Sequence, residues 1–333
     1  MNKCLVFIMI QFFAQSTFAQ KISGYHLLKT YHIASAGGWD YIEANYGNKI
    51  YVSHGSQVNI LNKNNGDSVD FIANTTGVHG IAFDVAQGKG FTSNGRLNNV
   101  TVFDAKTNKI ITQIATGQNP DAIMYEPFSK KIITCNGRSK TLSFIDPIKN
   151  TLVDSVSVGG VPETAVSDGE GKIYVNIEDK NEIAVIDMKT NKLISHWTLK
   201  PGEGPTGLAI DTKTKRLFAG CDKFLIVMDA NTGRIIDKLA IGDGCDGVAF
   251  DAETKNIFTS NGEGTMSVIH EDNKNKFSLT ETIVTKKGAR TISLDTKTHL
   301  LYLPTAEFEP ADPKVKGRPK MISGSFQVLV FGK

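Results

Sequence analysis

The stretch GVHGIAFD, residues 77–84, decides the fold, because variants of it return as GQNPDAIMYE at 117–126, GGVPETAVSD at 159–168, GEGPTGLAID at 202–211 and GDGCDGVAFD at 242–251. Glycine, often with proline, makes a sharp turn in each copy, and a short run of β-branched and aromatic residues follows. Aligning the copies brings Asp40, His79, Asp121, Glu163, Thr206, Asp246 and Arg290 into register at intervals of 39 to 44 residues. A second marker keeps the same period: the turns NKNNGD at 62, DAKTNK at 104, DPIKNT at 146, DMKTNK at 187, DANTGR at 229 and HEDNKN at 270. Two independent markers with one period define a repeat protein.

Each unit reads as strands. In the third, AIMYE, KIITCN, TLSFID and LVDSVSV are short and bounded by turn residues, and no amphipathic helical stretch interrupts them. The D-x-x-T-[NG]-[KR] turns have a local cause: Asp closes an Asx-type turn while Asn or Gly takes the left-handed position. A four-stranded antiparallel meander cannot bury both faces alone, whereas seven packed radially around an axis can. The expected fold is therefore all-β, a seven-bladed β-propeller. GYHLLKTYHIA, residues 24–34, reads as a fourth strand lacking the first three, and the last unit ends after TISLD, LLYLP and FQVLVFG. The N-terminal strand is thus expected to complete the seventh sheet and latch the ring.

Units of the form P-x-[GA]-[IVL]-A … K-x-[YF]-V … V-x-V-x-D-x-x-T-x-K-[IVL], with NKIYVSHGSQVNIL at 48–61 and GKIYVNIEDKNEIAVID at 171–187 as the nearest segments, resemble the YVTN-type β-propeller repeat family. The resemblance covers residues 37–333. It implies the propeller fold and an exported location, but no particular activity, because that family's activities are varied and fold does not carry function.

MNK followed by the apolar run CLVFIMIQFFAQSTFA has the form of an export signal, with Thr17 and Ala19 suiting the −3 and −1 positions of a cleavage site. Residues 1–19 are read as the signal and residues 20–333 as one propeller domain, periplasmic or secreted. No second long apolar run follows, so no membrane span is expected in the mature chain. A net charge of +3 over 333 residues argues for neither nucleic acid nor anionic lipid. A monomer is expected. Cys135, Cys221 and Cys245 remain after the signal, and the sites of Cys221 and Cys245 in neighbouring units predict side chains close enough to pair.

In a propeller, the recurring loop joins one blade's outermost strand to the next blade's innermost strand, so its fourth residue lands at the mouth of the central channel. The register set therefore forms an inner ring whose candidate ligand-binding residues are Asp40, His79, Asp121, Glu163, Asp246 and Arg290. His79 is also the candidate general base. A second ring is expected from the loops after the second strands: His54, Asn94, Asn136, Ile177, Cys221, Asn261 and Thr305. Within it, His54 is a further candidate ligand contact, and the three asparagines, each followed by Gly, also fit left-handed turn positions. Trp39 fits either a stacking platform or rim packing.

Carboxylates interleaved with amides suit a hard cation, Ca²⁺ or Mg²⁺, with Asp121, Glu163, Asn94 and Asn136 as candidate ligands. Hydration, or neutralisation by Arg290, is the competing account. The loop TAEFEPADPKVKGRPKMISG, 305–324, is expected to rise from the same face. No G-x-S-x-G, Cys-x-x-Cys, c-type haem motif or phosphate loop occurs. Three functions stay open. One is a binding or scaffold role for a small molecule, glycan or protein partner; another is metal-assisted hydrolysis of a lactone or sugar ester; the third is a purely structural envelope role.

Overall fold

The hairpin turns set the strand lengths. Asp104 Oδ1 accepts from the backbone amides of Lys106 and Thr107 at 3.0 and 2.7 Å, and Asn108 takes φ +59°, so the chain reverses within four residues. The same device recurs at Asp187 with Asn191 and at Asp229 with Gly233. The recurrent turns thus cut each unit into strands of nearly equal length.

The computed structural model describes residues 24–310 and 320–333. Seven four-stranded antiparallel sheets follow one another in chain order. Their innermost strands are Trp39–Glu43, Val78–Asp84, Pro120–Glu126, Pro162–Ser167, Leu208–Asp211, Cys245–Asp251 and Ser293–Asp295. The only helical element among the described residues is one 3₁₀ turn, Glu178–Lys180. No helix of the described residues is long and apolar enough to cross a membrane. The proposed signal, residues 1–19, lies outside the described residues.

The core lies between neighbouring blades and is built mainly by the second and third strands, which are buried almost throughout. Between blades 1 and 2, Tyr51 and Phe103 are fully buried and Phe83 packs edge-on against both. Gly90 is a packing requirement: the Phe103 ring lies where any side chain at position 90 would be.

Ring closure follows the sequence reading. Strand His26–His32 pairs with Gln327–Gly332 as the outermost strand of the seventh sheet, running from His26 opposite Gly332 to His32 opposite Gln327. It also reaches both neighbours, since the Tyr31 hydroxyl donates to the Lys63 carbonyl at 2.9 Å in blade 1. Tyr25 meets Phe258 of blade 6 edge-on at 5.1 Å.

The expected Cys221–Cys245 pairing is not formed: Cys135, Cys221 and Cys245 are buried free thiols. Cys221 Sγ faces the Ala219 carbonyl and Cys245 Sγ faces the Gly247 carbonyl, each contact staying within its own blade.

Candidate functional site

Bulges aim the inner ring. In blades 1, 2, 3, 4 and 6 the pairing of first and second strands slips between Trp39 and Ile42, Val78 and Ile81, Pro120 and Ile123, Pro162 and Ala165, and Cys245 and Gly247. Asp40, His79, Asp121, Glu163 and Asp246 all fall inside these slips. An extra residue in a strand bends it and redirects a side chain, so the irregularity that breaks the ladder is what presents the ring. Hydroxyls from neighbouring blades then hold the ring backbone. Thr291 Oγ1 donates to the Asp40 carbonyl at 2.5 Å, Thr206 Oγ1 to the Cys245 carbonyl at 2.6 Å, and Ser93 Oγ to the Asp121 carbonyl.

The side chains converge unevenly. Asp40 is the hub: His79 Nδ1 lies 2.6 Å from its Oδ2, and Arg290 Nη2 donates to its Oδ1 at 3.0 Å. The other guanidinium edge of Arg290 pairs with Asp246. His79 Nδ1 also lies 3.6 Å from Asp121 Oδ1. Glu163 has no ion pair among the described residues. One side of the mouth is therefore charge-compensated, while the Asp121–Glu163 side is not.

The protonation equilibria follow. Burial pushes Asp121 up to about 6, with His79 opposing and the like charge of Asp40 adding to the shift. Glu163 is raised well above the carboxylate range, by burial first and then by Asp121 and Glu178. Burial alone would lower His79, but its hydrogen bond with Asp40 and the charges of Asp121 and Asp40 outweigh that, and its pKa is raised. These side chains are enclosed by the channel wall yet wet: Asp121 is 17% exposed and His79 27%.

An Asp121 pKa raised from an unfolded value of about 3.9 means that the folded state binds this proton more tightly. Its stabilising contribution is complete below about pH 4 and is lost as pH rises through about 6. With chelator present, Asp121→Asn is expected to match the wild type near pH 4 and to exceed it by roughly 1–2 kcal/mol at pH 7. That figure is discounted for partial exposure and for the lost contact with His79. Urea unfolding across this range checks it; parallel stability curves would rule it out.

The second set of residues does not form a ring at the mouth. His54, Asn94, Asn136, Ile177, Cys221, Asn261 and Thr305 are all fully buried inside the blades. His54 stacks on Phe326 at 4.0 Å, donates from Nε2 to the Gly37 carbonyl and faces the Ser35 hydroxyl with Nδ1, each at 2.7 Å. Burial lowers its pKa, so it is a neutral packing residue. The asparagines are not left-handed turn residues either; that conformation belongs to Asn98, four positions after Asn94.

Asn94 Oδ1 accepts from Thr92 at 2.9 Å while its amide donates to Asn99 and Thr101, both at 2.8 Å. Asn136 repeats this with Thr134, Thr141 and Ser143. These amides satisfy buried groups between the second and third strands, so the expected hard-cation set of Asp121, Glu163, Asn94 and Asn136 is not assembled. The grouping that does assemble is Asp40, His79 and Asp121, whose ligand atoms lie within 4.8 Å of one another.

Beside the charged ring lies a hollow of about 650 Å³ bounded by Trp39, Phe308, Met321, Lys287, Arg290 and Asp246. Trp39 packs on Phe308 and Phe326 at centroid distances of 6.0 and 5.3 Å, and its Nε1 is buried without a hydrogen-bond partner. Phe308 and Met321 belong to the long 305–324 loop, whose described arms pair through a Phe308–Met321 bridge on the ring's own face, as expected. Residues 311–319 of that loop lie outside the described residues. Sequence reading missed this aromatic wall, because Phe308 and Met321 sit in the one segment that breaks the repeat. Deeper in the channel, a smaller space of about 400 Å³ is bordered by Tyr41, Ile81, Ala122, Met124, Ile133 and Cys135.

The chain is similar in fold to a chain of Kuenenia stuttgartiensis hydrazine synthase, with a TM-score of 0.72 over 82% of this chain and 94% of that one, at 13% sequence identity. That likeness is one of fold. The same comparison matches 1692 chains of solved structures, so it selects an architecture and no single activity. No protein-family model matches the chain, and no curated protein matches it in sequence.

Proposed function

We propose that this chain is an exported binding propeller, akin to the YVTN-repeat type, that takes a small polar ligand bearing an apolar face, such as a glycan unit, at the mouth of its channel. The observation that carries the reading is the 650 Å³ hollow, where an aromatic wall of Trp39 and Phe308 stands beside the Arg290–Asp246 pair. Apolar lining with a few convergent polar groups is the anatomy of a small-molecule site. Aromatic faces cover the CH faces of a sugar while fixed carboxylates and a guanidinium read its hydroxyls.

The chain has two tryptophans, and the second, Trp197, lies in an outermost strand, Lys192–Thr198. A Trp197→Phe variant therefore makes Trp39 the sole indole reporter of the mouth. Titration with a panel of mono- and oligosaccharides is expected to shift the Trp39 emission and raise the melting temperature. Both responses should be lost in Arg290→Gln. A panel that moves neither observable would remove this reading.

The Asp40–His79 contact supports a second reading, a metal-assisted lactone or sugar-ester hydrolase. A carboxylate-oriented imidazole is the usual form of a general base. Turnover of lactones or acetylated sugars, abolished by His79→Gln, separates it from binding alone.

A further inference from the structure

We propose that Asp40, His79 and Asp121 form a binding site for a divalent first-row transition ion of the zinc class, at the edge of the channel mouth. The geometry comes first. His79 Nδ1 lies 2.6 Å from Asp40 Oδ2 and 3.6 Å from Asp121 Oδ1, and the three ligand atoms fall within a 4.8 Å span. Ligand atoms held about 2.0–2.2 Å from a tetrahedral zinc stand roughly 3–3.5 Å apart. Ligation would therefore lengthen the His79–Asp40 contact by roughly 0.5–1 Å and draw the two carboxylate oxygens together from a separation of at most 4.8 Å.

Three further observations point to a cation there. Asp121 Oδ1 is a buried carboxylate oxygen with no hydrogen-bond partner, and it faces the imidazole. A buried acceptor left unsatisfied is costly unless something positive meets it. The ring also carries four carboxyl groups, Asp40, Asp121, Glu163 and Asp246, against one guanidinium, Arg290, whose contacts go to Asp40 and Asp246 and not to Asp121. Finally, the ligands are held in place. Arg290 fixes the second oxygen of Asp40, while Thr291 and Ser93 hold the backbone carbonyls of Asp40 and Asp121. Such outer contacts orient ligands in metal centres.

The donor set decides the class of ion. Calcium and magnesium take shells of oxygen, six or more for calcium, and the amide oxygens that could have completed one are committed inside the blades. An imidazole nitrogen with two carboxylates suits zinc and its first-row neighbours. Three protein ligands leave the remaining coordination positions to water or a bound molecule from the channel side. The site stands on its own geometry and survives failure of the glycan reading; it makes His79 a ligand, and so competes with the general-base role that the hydrolytic reading gives the same imidazole.

A competing histidine–carboxylate contact elsewhere serves as the internal control. His299 uses Nδ1 for Asp251 at 2.7 Å and Nε2 for Glu253 at 3.5 Å, so its two carboxylates lie on opposite ring edges and cannot close on one ion. The test strips the full mature chain with chelator, then titrates it separately with Zn²⁺, Co²⁺ and Ca²⁺. One equivalent of Zn²⁺ is expected to raise the melting temperature, and Co²⁺ to develop visible ligand-field absorption. Ca²⁺ at hundredfold higher concentration should do neither.

Asp121→Asn should weaken Zn²⁺ at least about tenfold while keeping the wild-type circular dichroism spectrum, and His79→Gln should remove the Co²⁺ spectrum. The melting temperature of metal-free Asp121→Asn, measured alongside its spectrum, separates loss of a ligand from misfolding. Absence of stoichiometric Zn²⁺ and Co²⁺ binding would overturn the proposal. So would undiminished binding in Asp121→Asn, which would place the ion away from this cluster, or saturation by Ca²⁺ as readily as by Zn²⁺.

Discussion

A chain beginning at Ser35 is expected to lose cooperative unfolding, or to melt at least 15 °C or so below a chain beginning at Gln20, because it lacks the strand that closes the ring. That strand carries Tyr31 at 5% exposure, and its flanks carry Tyr25 at 6% and Ile33 at 4%. Its removal also uncovers Gln327–Gly332, every residue of which is buried. Burying one large apolar side chain contributes about 1.5–3 kcal/mol. Three lost side chains and a newly exposed strand thus amount to much of the 5–15 kcal/mol that holds a typical domain together. The open edge would in addition present unpaired amides to other copies.

A synthetic peptide of residues 24–34 added in trans should restore part of the loss. An unchanged melting temperature in the truncated chain would show that the seventh sheet does not need this strand.

Arg290→Met is expected to destabilise the protein by about 2–3 kcal/mol at pH 7, the larger of the single-residue effects at the mouth. It leaves Asp40 and Asp246, 15% and 17% exposed, facing each other without the guanidinium that separates them. Breaking a fully buried pair costs about 3–5 kcal/mol; the wet channel and the 25% exposure of Arg290 reduce this. Arg290→Met combined with Asp246→Asn should recover more than half of it, since one of the stranded charges is then gone. Urea unfolding at pH 7 checks both statements; a double variant no more stable than the single one would mean that packing, rather than charge, is what Arg290 supplies.

Much of the inner ring was legible because the repeat does the aligning. Once GVHGIAFD and its relatives are placed in register, Asp40, His79, Asp121, Glu163, Asp246 and Arg290 must approach one axis, whatever the details of each blade. The second set was read at the right height in the fold but the wrong depth. Asn94 and Asn136 followed by glycine look like turn residues locally, and only their threonine partners, Thr92 with Thr101 and Thr134 with Thr141, show them to be buried. The T-x-N … [TN]-x-[ST] spacing that accompanies each asparagine was the available signal. His54 is buried for a related reason: Phe326, which covers it, comes from the far end of the chain.

The amino-acid sequence by itself determined the repeat, the strand lengths, the seven blades and the latch, because alternation and Asx turns act over a few residues and the period adds them up. Tertiary structure alone decided which ring residues meet. Arg290 reaches Asp40 across 250 positions of sequence, and one carboxylate is shared between that guanidinium and His79. Five bulges, invisible in the hydrophobic pattern, set the direction of those side chains. The physical reason is range: hydrogen bonds within a turn are fixed by neighbours in the chain. Charge pairing at the axis depends on where ring closure brings the blades, and burial in a wet channel then sets each group's proton affinity.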